Sequence, residues 1–143
     1  MSQPQRAISP PQGTLLLIEP DVLARTVLAD YLRGCGYVVH EVSTAEEALA
    51  VLQGAMPGEP IEFVVSEIHG IGSMTGFELA HAIRDSHPDL DVILASSQTN
   101  AAQKCHELCE HRTIKKPFSP EDLMRHIHLL RQKRRGRTKA RRR

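Results

Sequence analysis

Residues 61–67 read Ile-Glu-Phe-Val-Val-Ser-Glu, a mostly apolar run that ends in a carboxylate. A short run of this kind is typical of a parallel strand that is buried on both faces. A glycine-rich loop over residues 69–76 follows it. Parallel α/β sheets carry their chemistry beyond the carboxyl ends of the strands. Glu67 therefore lies where a carboxylate can accept a phosphoryl group, hold a metal ion or pair with a cation.

Predicted strands and helices alternate along the rest of the chain. The strands are predicted at residues 14–19, 37–42, 61–67, 90–96 and 112–115. Helices are predicted at residues 22–33, 77–86 and 101–110, with another that ends at Gln53 and a last one after Ser119. Five strands alternating with five helices predict an α/β fold with a doubly wound parallel sheet.

The ends of the predicted helices carry capping signals. Ser43 and Glu46 have the spacing of a capping box at the start of the second helix. Ser119 is expected to cap the last helix, with Pro120 at its first position and Asp122 three residues on. In the first helix the apolar residues lie near one stripe, which comprises Val22, Leu23, Val27, Leu28, Tyr31 and Leu32.

The net charge of +1 hides a strong asymmetry. Residues 131–143 hold nine of the 18 Lys and Arg residues and no acid, so the other 130 residues carry nine bases against 17 acids, a net charge of −8. The basic tail can bind nucleic-acid phosphates, an anionic membrane or the acidic body. A solvated, disordered end, helical only where it extends the last helix, is the simplest interpretation.

The composition indicates a cytoplasmic globular protein of one domain. Hydrophobic residues make up 41% of the 143 residues, and no apolar stretch reaches the length of a membrane span. An odd number of cysteines without an export signal favours a reducing compartment.

A zinc site is suggested by the residue types of Cys105, His106, Cys109 and His111. Buried thiols on a helix are the preferred interpretation, because His106 points away from the two cysteines on a regular helix.

Polar residues follow the predicted strands at one common edge of the sheet. They are Glu19, Pro20 and Asp21 after the first strand, Glu67 after the third, Ser96 and Ser97 after the fourth, and Lys116 and Pro117 after the fifth. Because parallel strands end at the same edge, we expect carboxylates, a hydroxyl and a lysine to converge there.

This pattern resembles the receiver domain of bacterial two-component response regulators. Residues 45–52 (Ala-Glu-Glu-Ala-Leu-Ala-Val-Leu), 76–80 (Gly-Phe-Glu-Leu-Ala) and 116–123 (Lys-Pro-Phe-Ser-Pro-Glu-Asp-Leu) are similar to stretches of that family, and the resemblance covers residues 13–130. It implies a tail over residues 1–12, a three-layer α/β/α receiver with strand order 2-1-3-4-5 over residues 13–130, and the basic tail beyond. It also implies a signalling module and not an enzyme.

The family's functional positions are carried over by the same resemblance. Glu67 is the equivalent of the phosphoacceptor, and Ser96, Lys116 and Pro117 are equivalents of the switch and phosphate-contact residues. A Mg²⁺ site, weak or absent, would use Glu19, Asp21, Glu67 and His69. The implied partner is a histidine kinase or a downstream output protein, and the face formed by the fourth helix, fifth strand and fifth helix is a candidate homodimer contact.

Two departures fall on the reactive positions. Glu67 replaces the family's aspartate, and Pro20 replaces the second acid that holds the metal. The extra methylene displaces the acceptor oxygens by more than about 1 Å, an error that can cost on the order of 100-fold in rate. We therefore predict a receiver that works without phosphate, with Glu67 reaching Lys116 or Ser96. The alternatives are weak phosphorylation at Glu67 or Asp21 with Mg²⁺, an ion pair without signalling meaning, and nucleic-acid binding through the basic tail.

Overall fold

The structure, a computed structural model, describes residues 12–54, 60–96 and 112–141 of the chain. These residues contain five strands, namely β1 (Gly13–Ile18), β2 (Tyr37–Val42), β3 (Phe63–Glu67), β4 (Asp91–Ser96) and β5 (Arg112–Lys115). The strands pair in parallel in one sheet of order β2-β1-β3-β4-β5. The predicted sheet and its strand order are confirmed.

Four helices connect or follow the strands within the described residues. They are α1 (Val22–Gly34), α2 (Ala45–Gln53), α3 (Gly76–Ser86) and α4 (Pro120–Arg141). The helix predicted at residues 101–110 lies outside the described residues. The zinc hypothesis for residues 105–111 and the dimer face that includes that helix lie at least partly outside them too.

Helices cover both faces of the sheet. Successive residues of a strand point to opposite faces, so Leu15 and Leu17 of β1 pack in a buried cluster with residues of α1 and α4. Leu16 and Ile18 pack in a second buried cluster with residues of α2 and α3. The three-layer α/β/α arrangement is therefore confirmed.

Part of the apolar stripe of α1 is exposed. Val22, Leu23 and Val27 are 61%, 78% and 63% exposed, whereas Ala29 and Leu32 are buried against the sheet. The apolar stripe predicted from the sequence is therefore only partly buried. The reason is that the first turns of α1 border an open cavity at the carboxyl edge of the sheet.

The capping box of α2 is shifted by one residue from its predicted position. Thr44 is the N-cap and accepts a hydrogen bond from the amide of Glu47, while the Ser43 hydroxyl donates to the Glu47 carboxylate. Glu46, the predicted partner of Ser43, instead accepts hydrogen bonds from the amide and hydroxyl of Ser73. The error arose because two hydroxyl residues and two glutamates are adjacent, so two registers of the same motif fit the sequence.

The cap of α4 is confirmed, and the helix extends into the basic segment. Ser119 and Asp122 exchange hydrogen bonds of 3.0 and 3.1 Å between backbone amides and side chains, and the amide of Ser119 lowers the pKa of the Asp122 carboxyl. The helix then continues through the basic segment as far as Arg141. This helical part of the segment extends the last helix, as the simplest interpretation of the sequence allows.

Gln12, the first residue that the structure describes, contacts the loop before β2. It donates its amide to the carbonyl of Gly36 at 2.9 Å. Residues 1–11 lie outside the described part of the chain. Within the described ranges, no helix has the length and apolar character needed to cross a bilayer.

Candidate functional site

Glu67 lies at the centre of the carboxyl edge of the sheet. It is the last residue of β3, whose other four residues are buried. β3 lies between β1 and β4, and its register places Glu67 beside Ala95. The side chain of Glu67 is only 13% exposed. A carboxylate in such a position needs a charged or hydrogen-bonding partner.

Glu19 is the second carboxylate at this edge. It follows β1, and its backbone is held on both sides: its amide donates to Val42 at 3.1 Å and its carbonyl accepts from the Arg25 guanidinium at 2.9 Å. Its side chain is 9% exposed. These contacts fix the direction in which the buried carboxylate leaves the strand.

Lys116 joins the two carboxylates. It follows β5, two strands away from β3 in the sheet, and its four-carbon stem reaches back across the edge. Its ammonium forms an ion pair with Oε1 of Glu67 and lies 3.6 Å from Oε2 of Glu19. Lys116 is 29% exposed and is bonded to Pro117 by a cis peptide bond. One ammonium between two carboxylates leaves the group with a net charge of −1.

Two other predicted site residues, Asp21 and His69, do not join this group. The Asp21 carboxylate is the N-cap of α1, where it accepts the amides of Leu23 and Ala24 at 2.9 and 3.1 Å. His69 is exposed in the loop after β3. Ser96 ends β4 at the same edge, and its side chain is outside the described part of the structure.

The residues present do not fit a Mg²⁺ ion. Magnesium requires near-octahedral oxygen ligands, yet the Lys116 ammonium occupies the space between Glu19 and Glu67. Asp21 is committed to its helix cap, and Pro20 has no ligand atom in its side chain. Among the residues described, no three His, Cys, Asp or Glu side chains form a group that could hold a metal ion.

An apolar cavity of about 380 Å³ adjoins the charged group. Glu19, Glu67 and Lys116 contribute to its wall, and apolar side chains form most of the remainder, including Leu23, Val27, Leu28, Val65 and Phe118. Sequence reasoning did not identify this cavity, because an apolar stripe on a helix has the same pattern whether it packs in a core or borders a cavity.

The loop that follows Glu67 is tied to α2. The carbonyl of Ile71 accepts the amide of Ala45 at 2.7 Å, and Ser73 donates to Glu46. The Ser73 hydroxyl lowers the pKa of the Glu46 carboxyl. Gly72 is favoured here because its φ of 112° is a backbone conformation that residues with a side chain rarely adopt. These contacts hold the loop against the helix beside the site.

Solved structures of receiver proteins have the same fold as this chain. The chemotaxis response regulator CheY4 of Vibrio cholerae superimposes with a TM-score of 0.69 and 23% identity, over 81% of this chain and 96% of that one. A CheY-like receiver domain protein from Methanospirillum hungatei gives a TM-score of 0.75 at 20% identity, over 87% and 98% of the two chains. At these identities the superpositions establish the fold alone.

Sequence comparison identifies the family. The two-component response regulator ORR3 of Oryza sativa subsp. indica is 25% identical over 124 residues, which are 84% of this chain and 92% of that protein. The sensor kinase CckA of Brucella abortus is 29% identical over 113 residues, but the match spans only 12% of that kinase. The family model of the response regulator receiver domain matches residues 15–128. The chain therefore belongs to the response regulator receiver domain family of two-component signalling proteins.

Proposed function

We propose that this receiver signals without being phosphorylated, through an ion pair between Glu67 and Lys116 that takes the place of a phosphoryl group. The observation that carries the proposal is the contact of the Lys116 ammonium with Glu67. In a receiver the lysine at this position contacts the phosphoryl group, and here a carboxylate on a longer side chain already meets it. The charge-assisted contact imitates part of the phosphorylated arrangement.

The same contacts oppose phosphoryl transfer. Receiver domains typically use Mg²⁺ to screen the charge of the incoming phosphoryl group, and the ammonium of Lys116 lies between the two carboxylates that remain for it. A nucleophilic carboxylate engaged with an ammonium must break that contact before it can attack in line. The imitation is partial, because a phosphoryl group carries three acceptor oxygens and a charge of about −1.5 to −2.

We further propose that the output is contact with another protein. Receiver domains interact with histidine kinases or output domains, and this chain offers an apolar surface next to its charged site. Val22, Leu23 and Val27 are exposed on α1 beside the cavity that Glu67 and Lys116 line. Exposed apolar side chains that cluster beside a functional site are typical of protein contacts. A partner on this surface would contact the ion pair directly.

Phosphodonor treatment tests the proposal. The purified protein is incubated with acetyl phosphate and Mg²⁺ and its intact mass is measured. We expect no gain, because neither the acceptor nor the metal site has the required geometry. The positive control is the double variant Pro20→Asp with Glu67→Asp, which restores the family's residues at two positions and should gain one phosphoryl group. Glu67→Asp alone, which lacks the second acid, should gain less.

A stable, Mg²⁺-dependent gain of one phosphoryl group by the natural protein would overturn the proposal. Peptide mapping would then identify the acceptor. Modification of Glu67 or Asp21 would support the alternative of a weakly phosphorylated receiver.

A further inference from the structure

The carboxyl-terminal part of α4 is a basic helical arm, which we define as residues 131–141. Its sequence is Arg-Gln-Lys-Arg-Arg-Gly-Arg-Thr-Lys-Ala-Arg, with seven cations and no acid. Leu130, 6% exposed, is the last buried residue of the helix before the arm, and Gln132, Lys133 and Gly136 are exposed. The arm has no apolar face with which it could pack on the domain.

One residue fixes the base of the arm to the domain. The Arg131 guanidinium donates to the side chain of Gln12 at 3.2 Å and to the Tyr37 hydroxyl at 3.4 Å, and it lies 4.0 Å from the Glu62 carboxylate. These partners are the residue before β1, the first residue of β2 and the residue before β3. The arm therefore begins at the edge of the sheet opposite to Glu67.

Repulsion between neighbouring cations destabilises the helix of the arm when no polyanion is bound. Cations stand four residues apart at 131 and 135, 133 and 137, 135 and 139, and 137 and 141. Like charges at this spacing destabilise a helix. A dense array of negative charge would remove the repulsion and stabilise the helix at the same time.

We infer that the basic helical arm binds the phosphate backbone of B-form duplex DNA without reading its sequence. Eleven helical residues extend about 16 Å, and duplex DNA carries one phosphate charge per about 1.7 Å of its axis. Roughly nine phosphates therefore lie along the arm, which has six cations besides the anchoring Arg131. A helix about 10–12 Å across fits a major groove about 12 Å wide, where cations around its circumference meet both strands.

The composition of the arm argues against other polyanions. Interfacial membrane helices need an apolar face, and Ala140 is the one aliphatic side chain that the arm contains. Binding to single strands relies on aromatic residues that stack with bases, and the arm has none. Duplex RNA has a deep, narrow major groove that does not admit a helix.

The test is fluorescence anisotropy of the full-length protein with a labelled mixed-sequence DNA duplex of about 20 base pairs, from about 50 to 200 mM NaCl. We expect the double variant Lys133→Gln with Arg137→Gln to weaken binding by at least about tenfold and to reduce the salt slope by roughly two units. Glutamine preserves the helix, since its helix propensity is close to that of Lys and Arg. Arg131 is left intact because it anchors the arm.

The matched control removes two cations from the acidic body, by Arg84→Gln with Arg125→Gln, and should change the affinity by no more than about twofold. If the control lost as much affinity for duplex DNA as the Lys133→Gln, Arg137→Gln variant, the inference would be overturned. Binding of the protein to single-stranded DNA or to an RNA duplex as tightly as to duplex DNA would also overturn the inference. Phosphatidylserine vesicles bound in preference to duplex, or salt-sensitive self-association without DNA binding, would likewise exclude it.

Discussion

At the scale of single residues, the site is defined by the contacts of one lysine with two glutamates. Glu67 reaches the ammonium of Lys116, and Pro20, the residue after Glu19, has no carboxylate. The ammonium then lies within 3.6 Å of Glu19 as well. A single cation thus lies close to two largely buried carboxylates. Lys116 therefore reduces the repulsion between them.

Replacing Lys116 should therefore destabilise the protein in a pH-dependent way. In Lys116→Met, Glu19 and Glu67 face each other without a cation, and we expect a loss of about 1–3 kcal/mol at pH 7 in the free energy of unfolding. The loss should shrink in acid, because a carboxyl group that has gained a proton no longer repels its neighbour. Urea denaturation over a range of pH measures it.

The matched control is Arg125→Met, which breaks an ion pair of 3.6 Å with Asp122 at a side chain that is 73% exposed. A surface pair of this kind should cost less than about 0.5 kcal/mol. Equal losses in the two variants at pH 7, or a loss in Lys116→Met that grows as the pH falls, would contradict the role given to Lys116.

At the scale of elements, the start of α3 fixes the end of β3 and so the position of Glu67. The amide of Gly76 donates to the carbonyl of Ile68 at 2.7 Å, and Thr75 caps the helix by accepting the amide of Glu78 at 3.2 Å. A Cβ atom on Gly76 would lie 2.7 Å from the carbonyl oxygen of Glu67 and 2.8 Å from Cα of Ile68. The helix can approach the strand this closely only because Gly76 has no side chain.

Two glycine-to-alanine substitutions should have opposite effects for this reason. Gly76→Ala forces backbone atoms apart and should lower the free energy of unfolding by about 1–3 kcal/mol. Gly34→Ala, at the end of α1, meets no atom within 4 Å and should raise it by about 0.5 kcal/mol, since alanine loses less entropy in a helix. Thermal and urea unfolding of both variants would show the difference. An unchanged free energy of unfolding in Gly76→Ala would mean that α3 can move away from β3 without destabilising the protein.

At the scale of the whole molecule, Arg131 links the end of the chain to its beginning. It contacts Gln12 and Tyr37, which lie 119 and 94 positions earlier in the sequence. Its guanidinium also lies 5.7 Å from the centre of the Tyr37 ring. This contact holds the basic arm at the amino-terminal edge of the sheet, so that the acidic site and the cations lie at opposite edges of one domain.

The titration of Tyr37 reports on this link. Burial raises the pKa of the Tyr37 hydroxyl, and the neighbouring Arg131 guanidinium lowers it in part. Arg131→Met should therefore move the pKa of Tyr37 further upward, because it removes the contribution that opposes burial. Ultraviolet absorbance titration in a Tyr31→Phe background measures it, since the chain has two tyrosines.

Arg33→Met serves as the control for that titration. Arg33 pairs with Glu41 at 2.9 Å and should leave the Tyr37 titration unchanged. A Tyr37 pKa that stays constant or falls in Arg131→Met would show that the contact does not persist in solution.

The sequence by itself determined the five strands, the described helices to within one or two residues apart from the end of α4, and the family. Short apolar runs such as residues 61–67 specify buried parallel strands, and the strand-end rule brings Glu19, Glu67 and Lys116 to one edge. Local signals sufficed to predict the strands because each strand is specified by the apolar pattern of adjacent residues. They failed where two registers fit, as at Ser43 and Thr44, and where an apolar stripe borders a cavity, as at Leu23.

Only the tertiary structure decided which partner each charged side chain takes. Lys116 lies between Glu67 and Glu19, Asp21 caps α1, and Arg131 reaches Tyr37. Apart from the cap, these contacts join residues that are tens of positions apart in the sequence. Whether they form depends on the direction of each side chain and on distances that tertiary packing sets to within a few ångströms. An ion pair is strong only at such short range and in partial burial, so charge spacing along a sequence cannot specify it.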